Sequence, residues 1–175
     1  MKGWLYDWDN KQKECKIEII MKSLPEQQVM SIRRVVPDYY HESFLWKEFA
    51  EAFGNTGNTG SRGKQESFSI YHDLDYRETQ VDIEICVVMD HLQIPMKRND
   101  FIYRQIEKVD MAACFIIYGP YENISLAYKE FAYWLEQHEE YQMQGENRQI
   151  CHVSMCDTQN PEEYITELQI PLRLL

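Results

Sequence analysis

A run of fifteen residues occurs twice in this chain. Displaced by 82 positions, Tyr39–Phe53 (YYHESFLWKEFAEAF) falls on Tyr121–Leu135 (YENISLAYKEFAYWL) without a gap, and six of the fifteen pairs are identical. At the same offset Ile20 meets Ile102 and Leu24 meets Ile106. With one residue of slippage VDIEICV (81–87) falls on YITELQI (164–170), which pairs Glu84 with Glu167. Repetition at a fixed offset requires one structural unit to be built twice and to bury its apolar faces against its copy. The chain therefore reads as one domain over residues 17–175, made of two copies, 17–92 and 99–175. The polar link Gln93–Asn99 joins them, and a lead segment, 1–16, precedes them.

Each copy reads strand, helix, strand, strand. Val29–Val36 (VMSIRRVV) and Met111–Tyr118 (MAACFIIY) are short apolar and β-branched runs, stopped by Pro37 and by Gly119-Pro120. Leu45, Phe49, Ala52 and Phe53 then recur at helical spacing, as do Ile124, Ala127, Tyr128, Phe131 and Leu135. Gly54 is placed to end the first helix, ahead of the loop NTGNTGSRG. Two strands close each copy: Phe68–His72 with Val81–Met89, and Gln149–Met155 with Tyr164–Ile170. The expected fold class is α+β, tandem duplicated βαββ units related by a pseudo-twofold axis, with a central ligand cleft between them.

The charge of −11 and pI near 4.9 disfavour direct binding to nucleic acid, because an acidic surface repels phosphates. No apolar run approaches the ~18 residues that span a membrane, and the N-terminus lacks a signal peptide's apolar centre. The five cysteines, at 15, 86, 114, 151 and 156, form no paired framework, which points to reduced thiols and a cytoplasmic location. Cys151, His152 and Cys156 lack a fourth ligand type at zinc spacing, and the glycines of GNTGNTGSRG do not bridge a strand to a helix. No metal, cofactor or phosphate loop is expected.

Two sets of residues carry chemistry. Glu84 and Glu167 interrupt strand-forming runs at equivalent positions; Glu84 shares a face with Asp82 and Cys86, and Glu167 with Ile165 and Gln169. Twelve tyrosines and four tryptophans supply the second set. Tyr39, Trp46, Tyr71, Tyr121 and Tyr128 are its candidate cleft rings, whereas Phe49 and Phe131 fit the core. A carboxylate at the floor of a ring-lined cleft would receive cations, through Coulomb attraction and ring faces together.

SIYHD (69–73) and VDIEICV (81–87), then YGPYENISLAYKEFAYWL (118–135) and YITELQIPL (164–172), resemble in order and spacing the GyrI-like effector-binding domain of AraC- and MerR-type regulators. The resemblance covers about residues 17–172 and implies an SHS2-like pair of βαββ units. It also implies an aromatic cleft for lipophilic cations with an acidic residue in the last strand, matching Glu167, and Glu84 as its first-copy counterpart. Regulators of this family carry a helix-turn-helix domain ahead of the module, and residues 1–16 are too short for one. The starting methionine and the acidic charge favour a free-standing module over a piece of a longer regulator. Trp4, Tyr6 and Trp8 fit either a cover over the cleft or a linker remnant.

The leading expectation is a stand-alone sensing or sequestering module, linked to transcription regulation, for amphipathic and cationic small molecules. Its partners are that molecule and a regulator or a second copy. One alternative is a hydrolase of reactive natural products, with Glu167 activating water and Tyr121 donating to the developing anion. The other is an acidic module that docks on a basic enzyme such as a gyrase.

Overall fold

In the computed structural model, which describes residues 16–54, 66–73, 77–89 and 100–175, strands carry most of the fold. Residues up to 89 form β1 (Ile20–Leu24), β2 (Gln27–Val36), α1 (Glu42–Phe53), β3 (Ser67–Tyr71) and β4 (Val81–Val88). Residues from 100 form β5 (Ile102–Ile106), β6 (Val109–Tyr118), α2 (Glu122–Glu136), β7 (Tyr141–Met143), β8 (Asn147–Val153) and β9 (Ile165–Leu174). The expected strands and both helices are present within a few residues. The strands β1, β5 and β7 were not anticipated. The loop 55–63, the link Gln93–Asn99 and the rings Trp4, Tyr6 and Trp8 lie outside the described residues.

The architecture is mixed α/β, built on a curled antiparallel sheet. The strand order is β1-β6-β9-β8-β3-β4-β2-β5, with β7 added beside β9. The curl follows from the pairing at the two ends. Leu24 of β1 pairs with Val109 of β6, and Gln27 of β2 pairs with Ile106 of β5. That is the register of one antiparallel ladder interrupted at Pro25-Glu26 and Glu107-Lys108. Pro25 has no N–H to give the ladder, so the chain bends there. The two ends of the strand order therefore meet on the same pair of bent strands.

Alternation then sorts the side chains into two layers. On one face α1 covers Met30, Ile32, Ile83, Ile85 and Val87 through Leu45 and Phe49. On that same face α2 covers Ala113, Phe115, Ile117, Leu168 and Ile170 through Ala127 and Phe131. The other face buries Val29, Phe68, Ile70, Cys86, Ile106 and Ile150, although among the described residues no helix lies over it. The sheet's own curvature closes that face into a second apolar layer.

Two glycines end elements in the left-handed region. Gly54, at φ 77°, closes α1 as expected. Gly119, at φ 92°, lets the chain turn from β6 into α2. A Cβ there would stand 2.8 Å from Asn123 Nδ2, which itself donates to the Tyr118 carbonyl at 2.9 Å. Gly119→Ala combines the dihedral cost with that clash and is expected to lower stability by about 1–3 kcal/mol. Urea unfolding of the variant against the parent measures it.

Candidate functional site

The helices flank the middle of the sheet rather than crossing it. α1 packs over β2 and β4 and α2 over β6, with β3 and β8 as the floor between them, where Ser69 is buried. Register places Ser69 opposite Gln149 and Tyr71 opposite Asn147 on this floor, on the side of the helices. The walls are the first turns of the two helices.

Pro37 ends β2, and the Asp38 carboxylate caps the short 3-10 turn Tyr39–His41 by accepting from the Tyr40 and His41 amides at 2.9 and 3.2 Å. His41 Nδ1 bonds the same carboxylate at 2.7 Å. This clamp fixes two neighbours: Tyr39, whose ring lies 5.8 Å from that of Tyr71, and Glu42, the first residue of α1. Glu42 reaches over the floor. Its Oε1 accepts from Trp46 Nε1 at 2.9 Å, one helical turn on, and from the Ser69 hydroxyl. Its Oε2 accepts from the Tyr71 hydroxyl at 2.7 Å. Burial, and then the Glu42 charge, push the Tyr71 phenol well above its ordinary pKa.

Across the floor, burial pushes the Tyr128 hydroxyl up to about 12 against the opposing bond to the Asn147 side chain. Burial does the same to Tyr121, again to about 12, whose ring lies 4.9 Å from Tyr164. Cys151, paired with Thr166 of β9, shares the helix side of the sheet. Tyr39, Trp46, Tyr71, Tyr121 and Tyr128 thus all stand on the helix side of the sheet. An apolar groove runs between α2 and β7, lined by Tyr128, Phe131, Ala132, Leu135, Glu136 and Met143.

Glu84 and Glu167 lie on the opposite face of the sheet from these rings, not among them as expected. Ile83 and Ile85 face α1, so Glu84 points to the opposite face with Cys86, as its alternation required. Leu168 and Ile170 face α2, so Glu167 also points away from the rings. Both carboxylates are buried against internal partners. Glu84, 3 % exposed, receives Arg104 at both oxygens, at 2.8 and 2.6 Å, and His72 Nε2 at 2.8 Å. The other nitrogen of His72 bonds Glu146 at 2.7 Å. Burial pushes the Glu84 carboxyl up, but hydrogen bonds from His72, Arg104 and Ser31 outweigh it and bring the group down to about 2.

Glu167 accepts from His152 Nε2 at 2.8 Å and Gln169 at 3.1 Å, with Lys22 at 3.6 Å. Its pKa is lowered by these partners against the opposing effect of burial. Tyr121 and Glu167, paired in the hydrolytic alternative, lie on opposite sides of the sheet. Sequence reasoning missed Glu42, His72, His152 and Asn147. The i, i+4 pair Glu42/Trp46 was the available signal for the first. Among the described residues no group of three His, Cys, Asp or Glu is arranged to hold a metal, and no helix is long and apolar enough to cross a membrane.

The family described as the GyrI-like small molecule binding domain matches residues 17–173. The chain belongs to that family. Its fold is similar to the crystal structure of the EcmrR C-terminal domain, at 26% identity and a TM-score of 0.75, covering 91% of this chain and 99% of that one. It is also similar to EcmrR in a cryo-EM complex with DNA, at 25% identity and a TM-score of 0.76, covering 91% of this chain. This chain spans 58% of the EcmrR chain in that complex. SAV2435 bound to tetraphenylphosphonium shares the fold at 12% identity and a TM-score of 0.56, covering 89% of this chain and 94% of that one. Among curated proteins none matches.

Proposed function

We propose that this GyrI-like domain captures amphipathic, cationic small molecules in the cleft between α1 and α2, as a cytoplasmic sensing or sequestering module linked to transcription regulation. The observation that carries the reading is the Glu42 carboxylate, held by Trp46, Ser69 and Tyr71 among the rings of the cleft. A carboxylate beside ring faces attracts a lipophilic cation twice over, by charge and by the ring quadrupoles, each ring adding ~0.5–2 kcal/mol. Tetraphenylphosphonium on SAV2435 is a ligand of that chemistry on a protein of the same fold.

The tandem-copy reading with its pseudo-twofold axis belongs to this proposal. It is supported by the strand order, which reads the same from either end when β1, β2, β3 and β4 are exchanged with β5, β6, β8 and β9. The ion clusters support it too. Lys22 and Arg104 are separated by the 82-residue offset of the duplication, and each reaches the carboxylate of the other copy. The cleft then lies where the copies meet, along the β3·β8 seam.

A ligand that binds only the folded chain raises its melting temperature. At a hundredfold excess over Kd, tetraphenylphosphonium is expected to add about 2.7 kcal/mol, which for a domain of this size is about 5–10 °C. Neutral triphenylphosphine oxide is expected to shift it far less. Equal shifts from the two, or none from either, would remove the cation reading.

A further inference from the structure

We infer that the groove between α2 and β7 seats the apolar tail of the captured cation, so that the domain selects linear-chain cationic amphiphiles over compact cations. This deepens the proposed function and rests on it. The groove is open and apolar along its length, with Phe131, Ala132 and Leu135 of α2 facing Met143 of β7. In helix order Tyr128 stands at one end and Glu136 at the other. Ala132 is exposed and Met143 is 39 % exposed, so a tail laid between them takes apolar surface out of water. The unbranched thioether of Met143 can adjust to chains of different shape.

Two observations say what fills it. The first is continuity with the site around Glu42. Tyr128 belongs to both: it bonds the Asn147 side chain, Asn147 pairs with Tyr71 across the floor, and the Tyr71 hydroxyl donates to Glu42. A molecule whose charge lies by Glu42 and whose chain passes Tyr128 therefore runs into the groove. Leu135 follows Tyr128 by seven residues, about 10 Å along the helix axis, which is the length of an extended octyl chain. The second is charge. The one charged side chain lining the groove is the Glu136 carboxylate, and α2 also carries Glu122 and Glu130 against Lys129 alone. That field opposes a fatty acid or any other anionic amphiphile and suits a cationic one.

The probes are benzyltrimethylammonium and benzyldimethyl(octyl)ammonium, which share a ring and a charge and differ in the tail, titrated calorimetrically below micelle formation. A methylene taken fully out of water is worth about fourfold in affinity, and in an open groove about twofold. The wild-type chain is therefore expected to bind the octyl probe about 30- to 100-fold more tightly. Ala132→Gln with Met143→Gln places neutral polar side chains at two exposed positions of the groove and leaves Glu42 and its rings untouched. In that variant the octyl advantage is expected to fall about tenfold, with affinity for the compact probe within about twofold of wild type. An octyl advantage that survives in the variant, or equal binding of the two probes by the wild type, overturns the inference and leaves the proposed function standing. Octanoate binding as tight as that of the octyl cation also overturns it, by giving the groove to anionic tails. Binding of neither cation overturns both.

Discussion

Glu84→Gln is expected to destabilise the fold by about 2–4 kcal/mol, because it strips a half-buried guanidinium and a buried imidazole of their common carboxylate. Arg104 and His72 both end on Glu84, and glutamine can satisfy neither charge nor bidentate geometry. Replacing Glu84 together with Arg104, as Glu84→Leu with Arg104→Met, is expected to cost less than Glu84→Leu alone, since the guanidinium is no longer orphaned and His72 keeps Glu146. The pH dependence gives an independent check. Folding carries the Glu84 carboxyl from its ordinary 4.5 down to about 2, so its contribution is complete above pH 4.5 and disappears as pH falls toward 2.

The drop is worth about 3 kcal/mol. His72 runs the other way. Burial lowers its pKa, but the bonds to Glu84 and Glu146 outweigh this and raise it. Its contribution is therefore full below 6.5 and is lost as pH rises through the folded value. The gap between wild type and Glu84→Gln in urea unfolding should be widest between about pH 4.5 and 6.5 and narrow on the acid side. A gap of constant size at every pH would contradict this account of the pair.

The two clusters also explain what the sequence could convey. Alternation alone put Glu84 with Cys86 and opposite Ile83 and Ile85, and the structure agrees. What alternation could not say is which face the helices cover. That depends on the sheet curling, through β1 and β5, until the face without helices becomes a buried layer. IMKSL and IYRQI are short and pattern-poor, and each pairs with a strand far away in the chain, Ile20 with Cys114 and Ser31 with Ile102. Nor does a charged side chain on a strand reveal from its neighbours in sequence whether it meets solvent or a buried partner. The partners that satisfy it, Arg104 and Lys22, stand far away in the chain. The helices were legible because Leu45, Phe49, Ala127 and Phe131 recur at local spacing. Trp46 and Tyr128 lie on the same two helices. Glu42 lies at the start of α1, in a stretch that reads as helix entrance, and its role appears only when Ser69 and Tyr71 are folded under it.

The second large effect is on binding. Glu42→Gln keeps an acceptor for the indole and hydroxyl donors but removes the charge. A carboxylate within ~4 Å of a cation near a protein surface is worth up to about 4 kcal/mol, and partial screening leaves about 1.5–3 kcal/mol. Affinity for a lipophilic cation should therefore fall about 10- to 100-fold. Glu167→Gln, on the far side of the sheet, should leave that affinity within about twofold once the folded fraction is matched.

Side-by-side fluorescence titration of rhodamine 6G into the wild type, Glu42→Gln and Glu167→Gln tests the account most directly. A large loss confined to Glu42→Gln is the expected result. A large loss in Glu167→Gln with Glu42→Gln unchanged would contradict it, and would put the ligand on the buried face of the sheet instead of between the helices.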